Sequence, residues 1–140
     1  MSCLMLIDSD PLQRSLLSTL LEHDYDDLLF FAHPSDSLET LESRDDIVGI
    51  VLGLPLREND WWTFHQSIQD MGRKGEHYVP VLGLSSDYAI AEAEQVCREF
   101  QLDMFRSLPI EPQQLRQAVR DVLCLHRKSM SMSRSVSLIL

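Results

Sequence analysis

Five short apolar runs, each followed by a stretch whose apolar residues recur at helical spacing, set the limits on how this chain can fold. The runs are 3–7 (CLMLI), 28–31 (LLFF), 47–52 (IVGIVL), 78–84 (YVPVLGL) and, more weakly, 102–105 (LDMF). They are continuous rather than alternating, which is the signature of strands covered on both faces. Between them lie amphipathic segments: Leu12, Leu16, Leu17, Leu20 and Leu21; then Leu38 and Leu41; then Trp61, Phe64, Ile68 and Met71. Ile90, Ala93, Val96, Cys97 and Phe100 form the fourth, and Leu115, Val119, Val122 with Leu123 or Cys124 the fifth. Strands alternating with helices, joined by right-handed crossovers, predict an α/β fold with a doubly wound five-stranded parallel sheet. The reading assigns residues 1–127 to this single domain.

Helix starts are marked by cap residues. Ser9 or Asp10 precedes Pro11, Pro34-Ser35 opens the second helix, Ser85-Ser86-Asp87 the fourth and Pro112 the last. Residues 128–140 stand apart: Ser129 to Leu140 (SMSMSRSVSLIL) mixes Ser and Met, has no caps, and reads as a linker toward a following domain.

Twelve Lys and Arg against 22 Asp and Glu give a net charge of −10. Such a surface repels a phosphate backbone, so direct nucleic-acid binding is not expected. No apolar run approaches the ~20 residues of a membrane helix. Cys3, Cys97 and Cys124 show no paired spacing, and each reads as a small buried hydrophobe in a reduced, cytoplasmic setting. The five histidines, His23, His33, His65, His77 and His126, have no metal-ligand spacing, and no metal or cofactor is expected. Asp24, Asp26 and Asp27 read as a solvated loop, and Arg127-Lys128 as cations at a helix end. Of the adjacent Trp61 and Trp62, one is expected in the core and the other partly exposed.

In doubly wound sheets the working crevice lies at the carboxyl ends of the strands. Those ends carry Asp8, Ser9 and Asp10, then Gly53, then Ser85 and Ser86, then Leu108-Pro109. The order of elements, the LIDSDP start, the hydroxyl after strand four and the LPIEPQQL entry to the last helix resemble the CheY-like receiver domain of bacterial response regulators. In that family an acidic pair after strand one binds Mg²⁺ and an aspartate after strand three accepts phosphate. A Thr or Ser ends strand four, and a lysine before proline ends strand five.

On this resemblance Asp8 matches the first acid, while Ser9 replaces the metal-ligating second. Gly53, 45 residues beyond Asp8, stands at the acceptor position; anchoring instead on Pro55 puts Val51 there, and neither can take a phosphoryl group. Ser85 matches the hydroxyl, Phe105 the switch aromatic, and Leu108 replaces the lysine. An acyl phosphate needs a carboxylate nucleophile, and Mg²⁺ needs several oxygen ligands. Asp10 and Asp60 read as helix caps rather than substitutes. The expectation is a degenerate receiver without phosphotransfer or enzymatic activity.

The segments GIVLG, VPVLGLS, RSLPIEPQQL and SRSVSLIL further resemble the N-terminal domain of flagellar master regulators of the sigma-54 enhancer-binding class. That resemblance implies a following ATPase and a DNA-binding domain in a longer protein. It makes the chain a regulatory module acting by protein contact, with a homodimer docked through its last helices. Two alternatives stand beside it. One is a receiver phosphorylated on an atypical acceptor such as Asp8 or Asp60. The other is a small-molecule sensor using the vacated strand-end pocket.

Overall fold

The computed structural model describes the backbone of residues 2–54, 58–73 and 78–139, and side chains within 2–54, 63–70 and 78–125. Five strands, β1 (Cys3–Ile7), β2 (Asp27–Phe31), β3 (Ile47–Gly53), β4 (Val81–Ser85) and β5 (Met104–Ser107), form one sheet. Its order is β2-β1-β3-β4-β5, with every neighbouring pair parallel. Helices α1 (Pro11–Leu21), α2 (Pro34–Ser43), α3 (Glu58–Arg73), α4 (Ala93–Phe100) and α5 (Pro112–Ile139) complete a (β/α)5 fold. This is the doubly wound architecture that the apolar runs predict. Among the described residues no helix is long and apolar enough to cross a membrane.

The sheet divides two cores. Cys3, Met5 and Ile7 point to one, packing with Leu41, Phe64, Val96 and Phe105. Leu4 and Leu6 point to the other, against Leu17 and Leu21 of α1 and Leu115, Val119 and Val122 of α5. That two-sided burial explains why β1 and β3 read as unbroken apolar runs.

Several local expectations are corrected. Leu12 and Leu16 are 81% and 54% exposed, while Leu17 and Leu21 are buried. Five leucines span too wide an arc for one helix to bury, and α1 turns its 17/21 row inward. Of the two cap candidates it is Asp10 that caps α1, as expected, its carboxylate accepting the Leu12 N–H at 3.0 Å. β4 starts at Val81, since Pro80 has no N–H to give, although its carbonyl already accepts from Ile50. β5 is displaced to residues 104–107 because Gln101, the C-cap of α4, lies in the left-handed region (φ 57°) and Leu102 folds over Gly83.

Ser85 ends β4 rather than capping a helix, and a 3-10 turn (Ile90–Glu92) precedes α4. Ile90 is therefore 58% exposed instead of lying in the α4 stripe. On α5 Leu123 is buried and Cys124 exposed, which settles the inward choice. Of the cysteines only Cys3 is fully buried. The acidic cluster is not simply solvated. Asp24 receives a bidentate pair from Arg116 (2.7 and 2.8 Å), Asp27 pairs with Arg44, and Asp26 accepts the Ser2 N–H. The backbone of α5 continues helical through the stretch read as a linker. The side chains of Asp60, Trp61, Trp62, Met71, His77, His126, Arg127 and Lys128 lie outside the described residues.

The α1 orientation carries a prediction. Leu17→Ala should cost about 2–5 kcal/mol in urea unfolding, the usual range for a buried leucine. Leu12→Ala should stay within about 0.5 kcal/mol. Equal losses would contradict this rotation of the helix.

Candidate functional site

The register of β1 on β3 pairs Ile7 with Leu52, which leaves Asp8 and Gly53 side by side where the two strands end. Strand order reverses between β1 and β3, so this is the topological switch point, where α/β sheets place their ligand crevice. Backbone bonds fix the floor. Asp8 N–H donates to the Phe31 carbonyl, Leu54 N–H to Leu84, and Leu108 N–H to Ser85, at 3.0, 2.8 and 2.8 Å.

Asp8 is partly buried, and its carboxylate leans across Gly53. A Cβ built on Gly53 would overlap it, coming within 2.6 Å of Asp8 Cγ. The other side of the carboxylate is anchored, Oδ1 accepting the Asp10 N–H at 2.9 Å. Burial raises the Asp8 pKa above the ordinary carboxylate value. The Asp10 N–H bond opposes that rise, the Asp10 charge adds to it, and Arg14 opposes it.

The remaining predicted residues surround this pair. Ser9 is exposed. Ser85 is buried, and its Oγ accepts the Asp87 N–H at 3.0 Å within its own loop. Leu108 lies beside Ser85 through their backbone bond and packs on the apolar core shared with α5. Phe105 is 1% exposed, its ring meeting Tyr88 edge-on at 6.2 Å, and Tyr88 in turn meets Phe100 at 6.3 Å. The Ser107 hydroxyl donates to the Tyr88 carbonyl at 2.7 Å, tying the β4–α4 loop to β5.

Tyr88 is the residue that pattern reading missed; its only sequence signal is a lone aromatic between a polar cap and a helix. Asp103 was also missed. It stands at the opposite pole of the sheet, accepting the Val81 N–H at 2.7 Å and the Tyr78 hydroxyl, beside a cavity of about 390 Å³ between α3 and α4. A solitary acid within an apolar run was the available clue.

The described residues of the crevice do not fit a magnesium ion. Asp8 supplies one carboxylate, Asp10 is engaged in capping α1, Ser9 is neutral and Gly53 has no side chain. Among the described residues no three acidic, histidine or cysteine side chains gather to hold a metal. Leu108 offers no cation, and the arrangement buries part of the Asp8 carboxylate beside Gly53.

A carboxyl whose folded pKa is raised contributes stability that is complete below its unfolded pKa and is lost as pH rises through the folded value. Asp8→Asn should therefore flatten the fall in stability from acid toward neutral pH and raise stability at neutrality. Urea unfolding at a series of pH values checks this; an unchanged profile would contradict the burial of Asp8.

No protein-family profile matches the chain, and no curated protein matches it in sequence. Solved structures do match. A signal receiver domain of an HD domain-containing protein from Pseudomonas fluorescens Pf-5 superposes with a TM-score of 0.72 at 19% identity, covering 93% of this chain and 92% of its own. The chemotaxis response regulator CheY4 of Vibrio cholerae gives 0.70 at 14%, covering 87% and 98%. The receiver domain of the Pseudomonas aeruginosa sensor histidine kinase PA1611, solved with magnesium coordinated in its active site cleft, gives 0.68 at 14%, covering 87% and 97%. The chain therefore has the CheY-like fold of response-regulator receiver domains.

Proposed function

We propose that this chain is a pseudo-receiver: a regulatory and dimerisation module that works without phosphorylation. The observation that carries the reading is the crevice itself. At the switch point Gly53 stands where a receiver carries its acceptor, Ser9 where the second acid belongs and Leu108 where the lysine belongs, and the Asp8 carboxylate overlies Gly53. With no carboxylate at position 53, no lysine at position 108 and no metal cluster among the described residues, the proposed module keeps the surfaces of the fold but not its phosphotransfer.

The buried Phe105 and its Tyr88 contact support a face held in one arrangement. That face, formed by the 3-10 turn, β5 and α5, contains a groove of about 850 Å³ lined by Ile90, Pro109, Gln114 and Gln117. Arg106 and Asp121 stand in the same groove. A two-fold contact pairs each patch with its own copy, so opposite charges within one patch favour self-association. We assign a second copy of the chain as the occupant. We further propose, on the resemblances in GIVLG and RSLPIEPQQL, that the module is the N-terminal domain of a sigma-54-dependent activator of flagellar genes, ahead of ATPase and DNA-binding domains. A role in two-component signalling in the ordinary, phosphorylated sense is not part of this reading.

Analytical ultracentrifugation tests it. The dimer mass should be the same with and without magnesium and beryllofluoride, and a reagent-dependent change would overturn the reading. Ile90→Asp should weaken dimerisation at least about tenfold, the scale of a lost interface anchor. An undiminished dimer would move the contact to another face.

A further inference from the structure

The contact between Asp8 and Gly53 carries an inference beyond the loss of the acceptor. Position 53 is not simply an emptied site. The space that a side chain there would occupy is filled by the Asp8 carboxylate, whose Cγ lies 2.6 Å from the place of a Cβ. Gly53 ends β3 paired with Leu84, and no left-handed backbone angle requires glycine at this position. Alanine would therefore fit the local conformation, and the neighbouring carboxylate is the obstacle.

We propose that Asp8 and Gly53 form a mutually exclusive pair, in which the Asp8 carboxylate is the resident occupant of the acceptor space and holds the crevice closed to phosphate-sized anions. Three observations support it. The carboxylate is anchored by the Asp10 N–H, so it cannot leave without giving up that bond. Asp10 in turn caps α1 through the Leu12 N–H, so the occupant is tied to the helix start rather than to a free loop. Asp8 is partly buried, and the groups acting on its charge are Asp10 and Arg14. Among the described residues Arg14 is the cation that acts on this fixed negative charge, and the charge itself repels an entering phosphate.

The pairing inverts the usual view of such a site. A side chain restored at position 53 would not regain a vacant pocket; it would first have to expel Asp8. The inference rests on the pseudo-receiver reading only in treating the crevice as non-reactive, and its test needs no phosphodonor.

The test is a double-mutant cycle on the full chain: Gly53→Ala, Asp8→Ala and the two together, followed by thermal unfolding. In the Asp8 background Gly53→Ala should lower Tm by about 4 °C or more, the shift expected for a lost hydrogen bond and forced displacement in a domain of this size. In the Asp8→Ala background the same change should be neutral or raise Tm, since alanine loses less chain entropy than glycine on folding. The sign of the substitution thus depends on residue 8.

Carboxyl NMR supplies the second readout, including for a Gly53→Ala protein too unstable to compare by melting alone. The Asp8 pKa should fall toward the ordinary aspartate value in Gly53→Ala, because the expelled carboxylate is solvated. Equal Tm changes in both backgrounds, or an Asp8 titration untouched by Gly53→Ala, would overturn the pairing. Phosphorylation of the native chain would instead defeat the pseudo-receiver reading, so the two failures are distinct.

Discussion

The parallel pairing of β1 with β3 is the constraint on which the rest depends. It brings Asp8 and Gly53 together at the point where strand order reverses. A sheet buried on both faces cannot slip by one residue without exchanging its two cores, so this register is strongly specified. Met5 and Ile7 meet Phe64 and Phe105 on one side while Leu4 and Leu6 meet α1 and α5 on the other. The crevice chemistry is thus fixed by core packing several ångströms away.

Within that frame the crevice satisfies itself. Asp8 is held by the Asp10 N–H, Ser85 by Asp87, and the β4–α4 loop by the bond from Ser107 to Tyr88. Phe105 carries no polar atom, so a solvent-exposed orientation would gain no hydrogen bond and would lose its apolar contacts with Tyr88 and the core. Among the described residues Asp8, Ser85 and Ser107 each have a partner inside the protein. These internal bonds are the basis for the proposal that the chain works as an interaction module.

Much of this was legible in the sequence, for a physical reason. Unbroken apolar runs at 3–7 and 47–52 announce strands buried on both faces, and the residues that follow them fall at the crevice whatever the side-chain details. The positions of Asp8, Gly53, Ser85 and Leu108 were therefore readable from element order alone. Periodicity could not choose which leucines of α1 turn inward, because five of them share one helix and only tertiary packing selects Leu17 and Leu21. Nor could it show that Asp87 and Tyr88 form a structured loop before α4, since a polar cap and an aromatic there read as an ordinary helix start. The overlap of the Asp8 carboxylate with the space beside Gly53 arises between strands distant in sequence, and spacing along one chain does not encode it.

Intact-mass spectrometry of the purified chain after incubation with acetyl phosphate and magnesium tests the central claim most directly. The account predicts that the mass is unchanged, because Gly53 stands at the acceptor position and the described crevice residues gather no metal site. Gain of one phosphoryl group, lost again in Asp8→Ala, would show that the buried carboxylate is itself the nucleophile and would contradict the account.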